Sequence, residues 1–201
     1  MSRVLLAICL VSSLALGVDP YFGIRAMQPA AEEMISTYHM LPFLSIGARF
    51  PRSQYVAVTG ELSGTYAQGT GDFSALSLWN ASARFGAEFN AGPSLGAYLT
   101  PGVMVTWAGE RMPDADTLGN IGARTYTGAG LGLFVNMGIM LFRAGGWEFN
   151  VECGADAASV LTDRAIRYDY SYYTGRYSIP LSGVSLGLVA RRASPKAESG
   201  R

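Results

Sequence analysis

The chain has 201 residues, enough for one domain, and carries 15 basic and 15 acidic side chains. Because the net charge is zero, the composition does not favour nucleic acid or an anionic surface as a partner. Charged residues make up 15% of the chain and hydrophobic residues 49%, whereas an ordinary soluble domain is about 25% charged. We therefore expect lipid, and not water alone, to face much of the folded protein.

The N-terminus predicts a secretory signal peptide over residues 1–17. Arg3 precedes a nearly continuous apolar run, and small residues follow at the positions that a signal peptidase reads. The run is too short to span a bilayer as a helix. The remainder is expected to form one barrel domain, residues 18–192, followed by a loose periplasmic tail, residues 193–201.

Beyond residue 17 the hydrophobic pattern has a period of two, which predicts β-strands. Between residues 129 and 141, bulky apolar side chains occupy the odd positions after Ala129, and glycine recurs on the even ones. As a helix this stretch would contain several interior glycines, each destabilising by about 0.5–1 kcal/mol relative to alanine. Similar alternation elsewhere predicts strands near residues 19–27, 41–50, 54–66, 76–89, 94–107, 123–142, 147–161 and 178–191.

Short and long connections alternate along these predicted strands. Tight turns are expected at residues 50–53, 90–93 and 143–146, and longer polar loops at residues 28–39, 67–75, 108–122 and 162–177. This arrangement predicts an all-β fold, an eight-stranded antiparallel up-and-down transmembrane β-barrel. The tight turns and both termini would lie on the periplasmic side.

The polar phase of the strands is expected to face the lumen. It consists mostly of small and uncharged polar residues, which suit the narrow interior of an eight-stranded barrel. Buried charges must pair, so we predict an internal network formed by Arg25, Arg49, Glu61, Arg84, Glu88, Arg124, Glu148, Glu152 and Asp156. Glu61 is expected to pair with Arg49 or Arg84. Glu148 or Glu152 is expected to pair with Arg84 or Arg25. The network is either a structural core or a gated polar pathway.

Aromatic residues occur near both ends of the predicted strands. Tyr66, Trp79 and Trp107 are close to the long loops, whereas Phe50, Phe89 and Trp147 are close to the tight turns. Such a distribution is typical of the two aromatic girdles of a membrane barrel. Random placement of aromatic residues in β-structure is the alternative explanation.

The chain resembles the small eight-stranded outer-membrane proteins, the OmpA/OmpX and OmpW-like group. Its first strand carries Arg25 and runs into a loop at Pro29, similar to the start of OmpW-type barrels. It departs from the group after Val189, because no terminal aromatic residue follows for the insertion machinery to read. The OmpW resemblance implies passage of small apolar solutes. The candidate apolar lining is Phe43, Tyr98, Met104, Tyr126 and Phe134, which packing explains equally well.

Little in the sequence points to catalysis. His39 ends the first long loop, and Asp72 and Ser74 in the second could approach it, as a Ser-His arrangement requires. No recognisable motif surrounds these residues. We therefore predict no enzyme activity, no catalytic residue, no metal site and no cofactor.

The fourth long loop is rich in tyrosine and arginine, which are favoured at binding hot spots. Its candidate contact residues are Arg167, Tyr168, Tyr170, Tyr172, Tyr173 and Arg176. The alternative is that the segment forms strand extensions of a long hairpin, with tyrosines stacked across the pair.

Two functions remain open for an integral outer-membrane barrel. One is a narrow channel or passage for small, hydrophobic solutes. The other is a non-transporting structural or surface-interaction barrel, an adhesin or antigen that contacts host surface molecules through its loops. In both cases the lipid bilayer and the outer-membrane insertion machinery are the expected partners.

Overall fold

The computed structural model describes residues 18–92, 96–115, 121–168 and 171–192, so the predicted signal peptide and tail lie outside it. At residues 73, 112–115, 121–124, 163–168 and 171–177 it describes the backbone alone. The elements in chain order are β1 Asp19–Pro29, α1 Glu32–Tyr38, β2 Leu41–Pro51, β3 Val56–Gln68, a 3-10 turn Gly71–Phe73, β4 Ser77–Asn90, β5 Ala97–Ala115, β6 Ile121–Ala144, β7 Trp147–Tyr168, β8 Ser171–Pro180 and β9 Gly183–Arg192.

The strands form one closed antiparallel sheet. Each strand from β1 to β7 pairs with the next, and β9 pairs with both β7 and β1. β8 and β9 together make one barrel strand, because Ser159 opposite Pro180 and Asp156 opposite Gly183 fall in the same register along β7. The predicted eight-stranded antiparallel barrel is thus confirmed.

Two segments that were predicted as polar loops are strands over most of their length. β5 pairs with β6 as far as Ala115 opposite Ile121, and β7 pairs with β8 as far as Tyr168 opposite Ser171. The prediction of loops at residues 108–122 and 162–177 is therefore wrong. Polar composition suggested loops, but an antiparallel ladder needs only backbone N–H and C=O groups and can continue outside the lipid.

The outer ends of these hairpins separate from one another. Among the described residues, β6 and β7 last pair at Gly128 opposite Thr162. Beyond that pair, residues 112–115 and 121–124 belong to one two-stranded ribbon, the first ribbon. Residues 163–168 and 171–176 form the second ribbon, which extends for about 20 Å at roughly 3.3 Å per residue.

The outward phase of the strands is a continuous apolar surface. Leu131, Leu133 and Leu188 are 78%, 62% and 62% exposed, and between the aromatic girdles the described outward side chains carry no charge. On β4 the outward phase runs from Trp79 to Phe89, a height of roughly 25 Å at the usual strand tilt. This height is that of the apolar band of a transmembrane barrel.

Aromatic side chains lie at both edges of this band. At the outer edge, exposed Tyr66 is directly opposite Trp79. At the tight-turn edge, the rings of Phe142 and Phe149 stack with centroids 4.7 Å apart. Rings at these two levels fit the interfacial girdles of a membrane barrel.

Among the described residues, no helix has the length and apolarity needed to cross a membrane.

Glycines make room for the aromatic rings inside the barrel. Each of three inward rings faces a glycine directly across the strand pair, and a Cβ on that glycine would overlap the ring. The pairs are Tyr21 with Gly47, Tyr98 with Gly138, and Phe134 with Gly102. Eight strands leave a narrow interior. Because glycine has no side chain, each ring can lie close against the facing strand and fill this space.

Candidate functional site

One continuous series of charged side chains crosses the lumen, with acids and arginines in alternation. The side chains are 0–16% exposed and come from opposite walls of the barrel. In order of contact this series, the lumen charge chain, consists of Asp19, Arg49, Glu88, Arg191, Glu152, Arg25, Glu61, Arg84 and Asp156.

Arg25 on β1 is the centre of the charge chain. Its Nη1 and Nη2 donate to the two carboxylate oxygens of Glu61 at 2.6 and 2.8 Å, a bidentate pair. Its Nε donates to Glu152 Oε1 at 2.7 Å. All three side chains are at most 5% exposed. The guanidinium therefore ties β3 and β7 to β1 across the lumen.

Glu88 organises the half of the charge chain nearer the tight turns. This fully buried carboxylate accepts from Arg49 Nε at 2.7 Å and from Arg191 Nη1 at 2.8 Å. Arg49 Nη1 also donates to Asp19 Oδ2 at 3.1 Å. Arg191 Nη2 lies 3.8 Å from Glu152 Oε2, which links this half to the centre.

Tyr98 joins the charge chain through both its hydroxyl and its ring. The hydroxyl donates to Glu152 Oε2 at 2.8 Å, and the Arg191 guanidinium lies 3.5 Å from the ring centroid.

At the other end of the charge chain, Arg84 bonds to Asp156 and lies 3.9 Å from Glu61. Within the described part of the chain, the Nε and Nη1 atoms of Arg84 have no hydrogen-bond acceptor.

The structure brings most of the predicted network residues together, with different partners from some of those expected. Arg25 meets Glu152, one of the predicted pairings, but the nearest arginine to Glu61 is Arg25. Arg49 does not contact Glu61, because the tight-turn half of the chain holds it against Glu88.

Two predicted network residues do not join the charge chain in the described structure. Glu148 pairs instead with Arg143 at 2.5 Å, because the two are opposite each other beside the tight turn that joins β6 to β7. The side chain of Arg124 lies outside the described part of the chain.

Sequence reasoning missed Asp19 and Arg191. Both stand at strand ends, where alternation is weakest, and Arg191 reaches Glu88 only because β9 closes the barrel against β1. Their signal was present in the sequence, since each continues the inward phase of its strand.

An apolar plug fills the lumen above the charge chain. It includes the candidate lining residues Phe43, Met104 and Phe134, which pack with the other buried members Met27, Met34, Tyr38, Leu41, Ala67, Leu78, Ala108, Ala158, Val160, Ile179 and Leu181. The remaining candidates differ: Tyr98 belongs to the charge chain, and Tyr126 is half-buried nearer the outer mouth.

Helix α1 closes the outer mouth over the plug. Its buried side chains are Met34, Thr37 and Tyr38, and the Tyr38 hydroxyl donates to Glu110 Oε1 on β5 at 2.8 Å. The loop after β3 secures the helix, since the Thr70 N–H donates to the Thr37 carbonyl at 2.9 Å. The first connection is thus folded into the barrel mouth.

Little free space remains at the level of the charge chain. Tyr21, Arg25, Glu61, Arg84 and Glu152 are among the side chains around a cavity of about 10 Å³. That volume is close to the minimum that holds one water molecule. In the described residues, the lumen is therefore filled by paired charges at one level and by packed apolar side chains at the next.

Among the described residues, His39 makes no hydrogen bond to Asp72 or Ser74, the two residues named with it as a Ser-His arrangement. Its Nδ1 lies 2.8 Å from the Ile35 carbonyl and its Nε2 lies 3.2 Å from Thr70 Oγ1. Asp72 and Ser74 lie in or beside the exposed 3-10 turn. Within the described ranges, no group of three or more histidines, cysteines or acids could hold a metal ion.

The candidate contact residues of the fourth long loop lie in the second ribbon. Arg167 is opposite Tyr172 in the β7–β8 ladder. Tyr170 lies outside the described residues, as do the side chains of Arg167, Tyr168, Tyr172, Tyr173 and Arg176.

No family model matches the chain, and no curated protein matches it. Among solved structures, the chain is similar to the beta domain of the Bordetella autotransporter BrkA at 12% identity and a TM-score of 0.48, over 88% of this chain and 99% of that one. It is similar to Neisserial surface protein A at 10% identity and a TM-score of 0.47, over 87% and 94%. It is similar to Ail, the attachment invasion locus protein of Yersinia pestis, at 9% identity and a TM-score of 0.41, over 87% of this chain and 92% of that one. Identities this low concern the fold alone.

Proposed function

We propose that this chain is an integral outer-membrane barrel with a closed lumen, which anchors two surface ribbons that bind a partner outside the cell. The closed lumen carries the proposal. The charge chain and the apolar plug fill it in series, and the cavity between the charges is only about 10 Å³. The ribbons extend the barrel wall beyond its mouth and present backbone to the exterior.

A narrow passage for small hydrophobic solutes is the alternative, and the geometry favours it less. A solute would have to separate Arg25 from Glu61 and Glu152, which are buried together. Breaking one buried pair costs about 3–5 kcal/mol, and an apolar solute supplies no replacement polar group. It would also have to displace α1 and the packed side chains beneath it.

The outward surface supports a bacterial outer membrane as the location. It combines an uncharged band roughly 25 Å tall with aromatic rings at both edges and tight turns at one end, the build of outer-membrane barrels. Recognition by the insertion machinery of that membrane belongs to the same proposal.

Conductance in planar bilayers tests the closed lumen. The protein is refolded into detergent, its folding is checked by heat-dependent gel mobility, and it is then inserted into the bilayer. We expect no discrete openings, because the charge chain leaves room for about one water. Discrete wild-type openings that permit passage of small uncharged solutes would favour the channel and contradict the proposal.

Shortened ribbons test the surface role. Residues 112–124 and 163–176 are each replaced by an Asn-Gly turn, which joins antiparallel strands in two residues. We expect bacteria or vesicles carrying the full protein to bind host cells, and those carrying the doubly shortened protein to lose binding while the barrel stays heat-modifiable. Equal binding by both would refute a role for the ribbons.

A further inference from the structure

Along its whole described length, β8 pairs with one strand, β7. β1 pairs with β9 up to Pro29 opposite Gly183, and among the described residues nothing pairs with β8 beyond that point except β7. After Pro29, the Ala30 N–H donates to the Ser182 carbonyl at 2.8 Å, and the chain then turns into α1. In the described part of the chain, β1 thus does not continue beside Ser171–Pro180.

Unpaired strand edges accept further strands. The backbone N–H and C=O groups along such an edge are a template for an extended segment. All ten residues of β8 lie above the last β1–β9 pair, a length of roughly 33 Å. Many natural edge strands are covered by a helix or loop, but among the described residues no backbone hydrogen bond joins α1 to β8.

A groove lies at the foot of the edge, between α1 and β8. Its volume is about 610 Å³, and it is lined by Ala31, Glu32, Glu33, Ser36, Ser178 and Pro180. The two carboxylates are exposed, and no ion pair of the described side chains engages either of them. The groove therefore offers negative charge and hydroxyl groups beside a strand edge.

We propose that an extended basic peptide docks here by strand addition, with its backbone along β8 and a lysine or arginine in the groove beside Glu32 and Glu33. The edge supplies backbone hydrogen bonds, and the carboxylates select positive charge. The peptide would occupy the place beside β8 that β1 leaves. This inference rests on the proposed surface role and specifies the class of partner for one ribbon.

Fluorescence anisotropy tests it with the whole protein in zwitterionic detergent. The probe is a labelled ten-residue peptide of alternating lysine and threonine. We expect it to bind more tightly than the same peptide with glutamate in place of lysine. Methylation of alternate backbone nitrogens on the edge-facing side should abolish binding, because those N–H groups are the donors to β8.

Charge selection is tested by the double variant Glu32→Gln/Glu33→Gln, which should weaken binding about fivefold, as expected for exposed ion pairs. Asp72→Asn, an exposed acid outside the groove, is the matched control and should leave binding unchanged. Equal binding of the acidic or the methylated peptide, or no effect of the glutamine variant, overturns the inference. If the labelled lysine peptide fails to bind but ribbon-dependent cell binding is intact, this inference fails and the proposed function stands.

Discussion

Arg25 is the side chain on which the barrel interior depends most. It makes three hydrogen bonds to two buried carboxylates, and each of those acids has only a more distant second arginine, at 3.9 Å for Glu61 and 3.8 Å for Glu152. Buried ion pairs contribute little net stability when complete, but loss of one partner leaves an uncompensated charge. Its removal should therefore cost far more than the loss of a surface charge.

Arg25→Met should destabilise the barrel by about 3–5 kcal/mol, because Glu61 and Glu152 lose their nearest cation inside the lumen. Arg143→Met is the control, since Arg143 is 47% exposed and its pair with Glu148 should contribute at most about 1 kcal/mol. Urea unfolding in lipid vesicles, followed by gel mobility, measures both. A similar cost for the two variants would contradict the central role of Arg25.

Gly138→Ala should destabilise the barrel by about 1–3 kcal/mol, the usual cost of overpacking. The added methyl group would overlap the Tyr98 ring, which is also held by Glu152 and Arg191 and cannot move freely. Gly60→Ala is the matched control, because its Cβ would meet the Phe85 ring at an ordinary 3.9 Å. The same unfolding assay should show little change for the control, and an equally mild effect at Gly138 would argue against the ring contact.

At the scale of elements, alternation predicts the barrel wall well because every strand has one face toward lipid. The exposed series from Leu131 to Ile139 follows from that rule alone. Alternation does not predict where a strand ends, since hairpin pairing continues into polar sequence as far as Ala115 and Tyr168. It also misses α1, whose seven residues are too short to show a helical period.

The charge chain was less accessible to sequence reasoning than the wall. Inward positions such as Glu61 and Glu152 follow from strand phase, but their partners depend on which strands are neighbours and in which register. Arg191 illustrates this dependence, because closure of the barrel between β9 and β1 places it across the lumen from Glu88 on β4. That closure is a property of the three-dimensional fold.

Tyr38→Phe should loosen α1 without unfolding the barrel. The variant loses the hydroxyl donor to Glu110, a hydrogen bond to a charged group worth about 1.5–3 kcal/mol. Amide hydrogen exchange should then accelerate at Glu32–Tyr38 and stay unchanged in β2 and β3. Tyr55→Phe, at an exposed tyrosine beside a tight turn, is the control. Unchanged exchange in α1 would show that packing of Met34 and Tyr38 suffices to hold it.

At the scale of the whole molecule, the barrel has an apolar exterior and a charged interior, the reverse of a soluble barrel. The exterior is uncharged between its aromatic edges, while arginines and acids are concentrated in the lumen. We therefore expect the fold to need lipid or detergent around its outer surface. The composition reflects this arrangement, because few charges remain for a water-exposed surface.

Val135→Arg should test this orientation. Val135 lies near the middle of the outward phase of β6, where an arginine in lipid costs about 2–4 kcal/mol. Val56→Arg, beside a tight turn at the edge of the band, should cost about 0–1 kcal/mol. Unfolding in vesicles compares the two. If depth makes no difference, the outward phase does not meet the bilayer core.

The pairing of β1 with β9 also bears on how the barrel folds. These two strands are far apart in the chain, and contacts between distant segments form slowly because loop closure is entropically costly. Arg25 on β1 reaches Glu152 on β7 across this seam, whereas Arg191 on β9 reaches Glu88 on β4 across the lumen. We therefore expect the Arg25–Glu152 pair to form only when the first and last strands meet, which couples neutralisation of that buried acid to closure of the barrel.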